Sequence, residues 1–169
     1  VTDGIREATG LEAAIKWPND VVVRGKKVAG ILTEMSTDLD RIEFVVIGIG
    51  INVNTESFPE EIREVATSLA LEQGKEAART PIIAAVWEQF ARYEKLFEEK
   101  GSFAALKERY EALLANRGRE VRVLDPDGEY CGVAEGITES GELLVRREDQ
   151  SLTAVRSGEV SVRGIYGYI

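Results

Sequence analysis

Three short segments of this chain combine residue types that can hold small anionic molecules. Residues 16–20 read Lys-Trp-Pro-Asn-Asp, residues 26–32 read Lys-Lys-Val-Ala-Gly-Ile-Leu, and residues 48–52 read Gly-Ile-Gly-Ile-Asn. The first is a polar turn stiffened by proline, the second places lysines near a glycine, and the third is a glycine-spaced strand that ends in asparagine. Together they predict a place where a small carboxylate and a nucleotide are held side by side.

Lys27 is the first candidate for chemistry in these segments. A fixed ammonium stabilises the negative charge that develops when a carboxylate attacks a phosphate, and no proton transfer from histidine is needed. This matters because the chain contains no histidine. The competing interpretation is that Lys26 and Lys27 form an ordinary solvated hairpin edge.

The two glycines of the third segment point to one face of a predicted strand. Gly48 and Gly50 are two residues apart, so both lie on the same side and leave a groove without side chains. Asn52 follows on that side, and its amide can pair with the edge of an adenine. The alternative is that a helix packs against the bare strand.

Other polar residues allow two readings each. Asp20 can cap its turn or hold a nucleotide through magnesium, and Lys16 can add positive potential near phosphate. Cys131 has no histidine to activate it, so we expect a buried structural thiol. No set of protein metal ligands is predicted, since the commonest metal ligand is missing from the chain.

Composition narrows the class of protein. The chain has 169 residues, a net charge of −9, one cysteine and no apolar run long enough to span a bilayer. The acidic balance argues against nucleic-acid binding, and the single cysteine fits a reducing, cytoplasmic setting. Its only methionine is Met35 rather than residue 1, which predicts a piece of a longer reading frame or a processed chain.

Around the motifs, periodicity predicts a first part made of helices and strands. Residues 1–10 read as the end of a helix stopped by a glycine, and residues 12–16 as a short strand. The runs at 21–23 and up to 32 read as a hairpin, and 42–53 as a strand buried on both faces. A helix is predicted over residues 60–71, and a polar cover loop that includes Phe58 over 54–61.

Two further helices and a run of short strands follow. Thr80 and Pro81 predict the start of a long helix with an apolar stripe, and Ser102 caps a second helix beyond Gly101. The stripe comprises Ile83, Val86, Phe90, Tyr93 and Phe97, and the second helix turns Phe103, Leu106, Tyr110 and Leu113 inward. Beyond residue 117 the period changes to alternation, which predicts five short strands in a small barrel.

The three motifs, in this order and spacing, closely resemble the second half of the catalytic domain of biotin protein ligases. Residues 158–163 resemble the end of that family's small C-terminal domain. The resemblance implies an α+β fold with two parts. Residues 1–116 would be a partial mixed-sheet α/β catalytic domain of biotin/lipoate ligase type, with strands missing at one edge that is prone to bind other chains. Residues 117–169 would be an SH3-like β-barrel.

The resemblance also implies roles for individual residues. Lys27 would be catalytic and contact the biotin carboxylate and phosphate. The biotin-binding residues would be Lys27, Gly30, Leu32 and Gly48, and the nucleotide-binding residues would be Lys16, Asn19, Asp20, Gly50, Asn52 and Arg163. Glu159 and Arg163 share one face of a predicted strand, where a structural ion pair is the alternative role for Arg163.

As an enzyme of this family, the protein would use ATP with Mg²⁺ and biotin as substrates and no prosthetic group. It would activate biotin to biotinyl-5′-AMP and transfer it to a lysine of the biotin carboxyl carrier domain of acetyl-CoA carboxylase. No membrane or nucleic-acid partner is expected, and a homodimer is possible. The family's arginine- and glycine-rich loop does not precede Lys16 here, so we expect the 169 residues alone to make little or no adenylate.

Two other functions fit the same residues. One is a lipoate-type ligase, which also adenylates an acid. The other is a non-catalytic interaction module that presents the barrel to partners. A repressor role would require a DNA-binding domain upstream.

Overall fold

The structure, a computed structural model, describes residues 1–38, 41–125, 128–156, 161–164 and 168–169. A four-stranded sheet with the order β1-β2-β3-β4 carries the three motifs. Its strands are β1 (Ala13–Lys16), β2 (Asp20–Val23), β3 (Lys26–Asp38) and β4 (Arg41–Ile51). Within the described residues every strand pair of this sheet is antiparallel, so the prediction of a mixed sheet is wrong. Parallel pairing is found there only in two isolated bridges, Ile15–Leu114 and Lys27–Ala66.

The hairpin between β2 and β3 is confirmed, and its turn has a clear local cause. Arg24 and Gly25 have φ angles of 48° and 79°. Two consecutive positive φ values give the type I′ turn, whose twist matches that of the flanking strands. This turn brings the two lysines at the start of β3 opposite β2.

The described residues form four helices: α1 (Thr2–Thr9), α2 (Leu69–Gln73), α3 (Arg79–Lys100) and α4 (Ala104–Leu113). The predicted stops are confirmed at Gly10 and Gly101, both left-handed. Helix α1 packs very closely against α3. The closeness is seen at Gly4, where a Cβ would be 2.5 Å from Val86 Cα. Among the described residues, no helix is both long enough and apolar enough to cross a bilayer.

The prediction that residues 42–53 are buried on both faces is wrong. Strand β4 is the outer strand of its sheet, and Ile42 is 63% exposed and Phe44 58% exposed. The continuous apolar run is typical of a central strand. Here the ribbon formed by β3 and β4 leaves that apolar surface uncovered by the other described residues.

The predicted helix over residues 60–71 is also wrong. Lys27 N–H donates to the Val65 carbonyl at 2.7 Å, and Thr67 N–H donates to the Lys27 carbonyl at 2.8 Å. Residues 59–66 therefore form hydrogen-bonded turns rather than a continuous helix, and the end of this segment pairs with the start of β3. Helix α2 begins only after Ser68, whose hydroxyl accepts the Leu71 N–H at 3.2 Å.

The predicted apolar stripe of α3 is right in its middle, where Val86 is buried, and wrong at its two ends. The buried residues are Ile82, Ala85 and Val86, whereas Ile83 and Phe97 are exposed. The helix also begins at Arg79, so Thr80 is not its cap. Close contact with α1 adds Ile82 and Ala85 to the buried face, and sequence periodicity did not predict these two residues. In α4, by contrast, the predicted inward residues pack as expected, with Leu113 buried.

The second half forms a five-stranded antiparallel sheet of order β8-β7-β6-β5-β9. Its strands are β5 (Glu120–Leu124), β6 (Tyr130–Ile137), β7 (Leu143–Arg146), β8 (Leu152–Val155) and β9 (Ser161–Gly164), so the five predicted strands are confirmed. Closure into an SH3-like barrel stays a prediction. Cys131 is exposed, not buried, because the alternation of β6 turns Gly132 and Ala134 inward.

Trp17 joins the two halves. Its side chain is buried in the core of the second sheet with Leu114, and its indole N–H donates to the Gly141 carbonyl at 3.0 Å. Its backbone N–H donates to the Asn116 side chain at 2.8 Å. The predicted boundary between residues 116 and 117 stays a prediction, since residues before it contribute to the core beyond it.

We expect Asp3→Asn to lower the free energy of unfolding at pH 7 by about 2 kcal/mol, because charged hydrogen bonds of partly buried groups contribute this much. Asp3 accepts from Arg109 of α4 and Tyr93 of α3. Burial raises the pKa of Asp3, but these hydrogen bonds outweigh it and hold the pKa below its ordinary value of 3.8.

A carboxyl whose pKa is lower in the folded than in the unfolded state stabilises the protein fully at any pH above its unfolded pKa. This stabilisation is lost as the pH falls through the pKa of the folded state. Urea denaturation should therefore show the two proteins converging below about pH 4. Glu99→Gln serves as the control, since its pair with Lys95 is exposed and 3.9 Å long. An equal loss in both variants would contradict this account.

Candidate functional site

A groove lies on the face of β3 and β4 that carries the glycines. In the register of the two strands Gly30 is opposite Gly50, and Leu32 is opposite Gly48. The groove has a volume of about 500 Å³ and is lined by Asn19, Lys27, Gly30, Ile31, Leu32, Gly48, Ile49 and Gly50. All four predicted biotin-binding residues therefore lie together.

The floor of this groove is open backbone. A Cβ built at Gly48 would be 3.6 Å from the Leu32 carbonyl oxygen, and one at Gly50 would be 3.9 Å from that of Gly30. These are ordinary contacts, and apart from each glycine and its chain neighbours no other atom of the described residues lies within 4 Å of either position. Helix packing therefore does not explain these glycines here, and the bare floor is available to a flat ligand.

Lys27 stands at one end of the groove and is held there by Asp20. Its ammonium donates to Asp20 Oδ1 at 2.5 Å, while 40% of the side chain stays exposed. Gly30 makes room for it, because a Cβ at that position would be 3.0 Å from Lys27 Cε and 3.1 Å from Nζ. The lysine is thus oriented on its buried side and accessible on the other.

Asp20 is the centre of a buried cluster. It lies at the start of β2, is 8% exposed, and also accepts a hydrogen bond on Oδ2 from the Tyr168 hydroxyl. Lys16 Nζ lies 3.9 Å from Oδ2 and 4.4 Å from the centre of the Tyr168 ring. The carboxylate therefore orients Lys27 and lies close to Lys16, while its roles as a turn cap or as a contact of the nucleotide stay predictions.

The charges in this cluster are predominantly positive. Burial lowers the pKa of Lys16, the Asp20 charge opposes that shift, and the charges of Lys27 and Arg163 add to it. Arg163 lies on β9 opposite Arg122, so its effect brings the second sheet into the electrostatics of the site. Its predicted neighbour Glu159 lies outside the described residues. Two lysines near one carboxylate, with the charge of Arg163 acting on one of them, form a site suited to polyanions.

Two asparagines flank the groove with their amides partly used. The Asn19 amide donates to the Ile31 carbonyl at 2.7 Å, which places it on the groove wall. The Asn52 amide donates to the Thr67 carbonyl at 3.2 Å, and its backbone N–H donates to Val28. Within the part of the chain that the structure describes, one N–H and the oxygen of the Asn52 amide have no partner and remain for a ligand, so its role toward adenine stays a prediction.

The beginning of the predicted cover loop is anchored. The Asn54 side chain accepts the Ala77 N–H at 2.9 Å and donates to its carbonyl at 3.0 Å. The Thr55 carbonyl accepts the Ser68 hydroxyl at 2.7 Å. Any movement of this loop would therefore involve residues after position 55, among them Phe58.

Sequence reasoning missed Tyr168. It lies 148 residues from Asp20 in the chain, and no motif or spacing connects the two positions. The only available signal was an aromatic residue close to the C-terminus, which alone predicts nothing about a site.

Comparison with known proteins identifies the family. Residues 1–52 match the Biotin/lipoate A/B protein ligase family, and residues 118–163 match the Biotin protein ligase C terminal domain. The crystal structure of biotin protein ligase from Aquifex aeolicus superposes with a TM-score of 0.85 at 36% identity, covering 96% of this chain and 70% of that one. The chain therefore belongs to the biotin protein ligase family, and the predicted α+β fold class is confirmed.

Individual relatives carry more specific names. The bifunctional ligase/repressor BirA of Bacillus subtilis is 38% identical over 151 residues, which are 88% of this chain and 46% of that protein. The biotin--[acetyl-CoA-carboxylase] ligase of Paracoccus denitrificans is 33% identical over 136 residues, covering 79% and 56%. The chain thus spans about half the length of these curated relatives. The Aquifex aeolicus enzyme is also known in complex with biotin and ATP, with a TM-score of 0.84.

We expect Asp20→Asn to destabilise the chain much more than Lys16→Met. Removing the carboxylate leaves two lysines without their counter-ion, and breaking a buried pair in this way costs about 3 kcal/mol. Replacing Lys16 removes a charge whose burial is already unfavourable, and Asp20 keeps Lys27 and Tyr168, so the change should stay below about 1 kcal/mol. Urea denaturation at pH 7 measures both variants, and equal losses would contradict the central role of Asp20.

Proposed function

We propose that this chain carries part of the active site of an enzyme that activates biotin with ATP and then transfers it to a protein lysine. The proposal rests on one observation: the bare glycine groove ends at Lys27, which Asp20 orients. A second lysine, Lys16, is buried next to it. The names of the relatives and the Aquifex aeolicus complex with biotin and ATP support it.

The proposed reaction has two steps. A carboxylate oxygen of biotin attacks the α-phosphorus of ATP, forming biotinyl-5′-AMP and releasing pyrophosphate. The amine of a carrier lysine then attacks the acyl carbon of the adenylate, forming an amide and releasing AMP. The carrier is the biotin carboxyl carrier domain of acetyl-CoA carboxylase.

Electrostatics accounts for the role of the lysines in the first step. Two anions must approach each other, and negative charge gathers on the phosphate oxygens as the new bond forms. Preorganised positive groups stabilise that charge without having to move. Lys27 is oriented in this manner by Asp20, so it would contact both the biotin carboxylate and the α-phosphate.

The remaining predicted residues divide between the two substrates. Gly30, Leu32 and Gly48 would line the site for the ring and tail of biotin. The nucleotide would contact Lys16, Asn19, Gly50, Asn52 and Arg163. Asp20 would act through the lysines instead of binding the nucleotide.

Magnesium does not fit Asp20 as a resident ion. Both carboxylate oxygens already accept protein donors, Lys27 on one and Tyr168 on the other. Among the described residues no cluster of three or more acidic or cysteine side chains could hold a metal. We therefore propose that Mg²⁺ enters bound to ATP. A cytoplasmic location and a homodimer remain predictions, as does the absence of a nucleic-acid partner.

The function can be tested by fusing this chain to the part of the Aquifex aeolicus ligase that lies outside the match. We expect biotin-dependent pyrophosphate release by the fusion, and little or none by the 169 residues alone. Lipoate in place of biotin distinguishes the lipoate-ligase alternative. A folded fusion that releases no pyrophosphate with either acid would favour the interaction module.

In this fusion, Lys27→Ala should lower the rate of biotin-dependent pyrophosphate release by about 100-fold, as loss of one preorganised donor does. Lys26→Ala is the matched control, because Lys26 is adjacent and equally charged, and among the described residues its ammonium reaches only the Arg63 carbonyl at 3.4 Å. Its rate should stay within about twofold of the parent, since surface charges contribute little. Similar losses in both variants would indicate general charge rather than a positioned group.

Gly48→Val should weaken biotin binding by at least about tenfold, because the added side chain fills the groove while valine suits a strand. ATP binding serves as the internal control and should not change. Calorimetric titration of the fusion with each substrate separates the two effects. Unchanged biotin affinity would place the biotin outside this groove.

A further inference from the structure

The C-terminal residues return to the catalytic hairpin. A Cβ at Gly25, in the turn between β2 and β3, would be 3.7 Å from Ile169 Cδ1. The backbone of Ile169 also lies so close to Gly164 that no side chain would fit there. The last two residues therefore connect the end of β9 with the strand pair that carries the lysines.

Tyr168 makes two contacts in this position. Its hydroxyl donates to Asp20 Oδ2. The Lys16 ammonium lies over the face of its ring, 4.4 Å from the ring centre. The other carboxylate oxygen, Oδ1, accepts from Lys27 at 2.5 Å. Each oxygen of Asp20 thus has one strong donor.

The distance of Lys16 from Asp20 is informative. A tight ammonium–carboxylate pair has its atoms about 2.8 Å apart, whereas Lys16 Nζ lies 3.9 Å from Oδ2. Among the described residues no hydrogen bond of the Lys16 ammonium is found. A neutral phenol occupies the oxygen that Lys16 would otherwise take, and the ring supports the charge through its negative face.

We propose that Tyr168 is a positioning residue of the phosphate site, which keeps the ammonium of the buried Lys16 off Asp20, so that its positive charge acts on the anionic oxygens of a polyphosphate instead of being neutralised. The inference rests on the proposed function, because it assigns Lys16 to the nucleotide. It concerns a residue beyond the segment that matches the C-terminal domain of the family, which ends at residue 163.

The test compares Tyr168→Phe with the parent in the 169-residue chain. The variant keeps the ring under Lys16 and removes only the hydroxyl. The Lys16 ammonium should then close onto Asp20, so affinity for inorganic pyrophosphate should fall by about tenfold, the effect of one charged hydrogen bond. Titration calorimetry measures this affinity.

A second readout reports on Lys16 directly. Its pKa, followed by NMR of the lysine side chains and assigned with Lys16→Arg, should rise in Tyr168→Phe because the ammonium gains a closer carboxylate. Asp20, Lys27, Arg163 and Tyr168 are the described charged or titratable groups that act on it. A purely structural role of the hydroxyl would leave this pKa unchanged.

Tyr130→Phe is the matched control. The Arg147 guanidinium lies over the Tyr130 ring, 3.7 Å from the ring centre, which resembles the arrangement of Lys16 and Tyr168. Tyr130 lies in the second sheet and has no contact with Asp20. It should change neither the pyrophosphate affinity nor the Lys16 pKa. In an Asp20→Asn background, Tyr168→Phe should have no further effect, since the tyrosine acts through the carboxylate.

The outcomes separate this inference from the proposed function. An unchanged Lys16 pKa in a folded Tyr168→Phe protein overturns the role of Tyr168, whatever the affinity. A parent chain that does not bind pyrophosphate counts against the phosphate site itself, while the Lys16 pKa still decides whether the hydroxyl holds the lysine away. Should the phenylalanine variant fail to fold, a chain ending at residue 167 removes the hydroxyl together with the ring and Ile169, and Lys16 is again expected to pair with Asp20.

Discussion

The site depends on one buried carboxylate. Asp20 begins β2, and its oxygens collect Lys27 from β3 and Tyr168 from the end of the chain, with Lys16 of β1 nearby. Like charges from neighbouring strands would repel each other without it, and burial would make that repulsion stronger. Because a carboxylate has only two oxygens, the competition among its donors sets where each cation lies.

Bare backbone is the second constraint. The groove exists because three glycines lie close together on β3 and β4. Gly30 lies opposite Gly50, and Gly48 lies opposite Leu32. Glycine weakens a strand, so this surface gives up local stability for access to the backbone. The lysine cluster lies at the end of the same groove, so an uncharged surface meets a positive one. This arrangement suits a ligand with an apolar body and a carboxylate, held beside a polyphosphate.

Much of the local structure could be predicted from the sequence. The motif order, the hairpin, the five later strands and the glycine stops at Gly10 and Gly101 follow from local periodicity and turn chemistry. The predictions that are wrong concern segments whose structure depends on partners distant in the sequence. The segment around Ala66 pairs with Lys27 instead of forming a helix, and Ile42 is exposed because no other described element packs on the faces of the β3–β4 ribbon at that point.

The sequence by itself determined the family, the residue types of the site and their order along each strand, because these depend on near neighbours. The tertiary structure alone decided which charges meet. Tyr168 reaches Asp20 across 148 residues, and Trp17 ties the motif to the second sheet through Asn116. Such contacts depend on how the two sheets pack, and side-chain pairing between distant segments leaves no periodic trace in a single sequence.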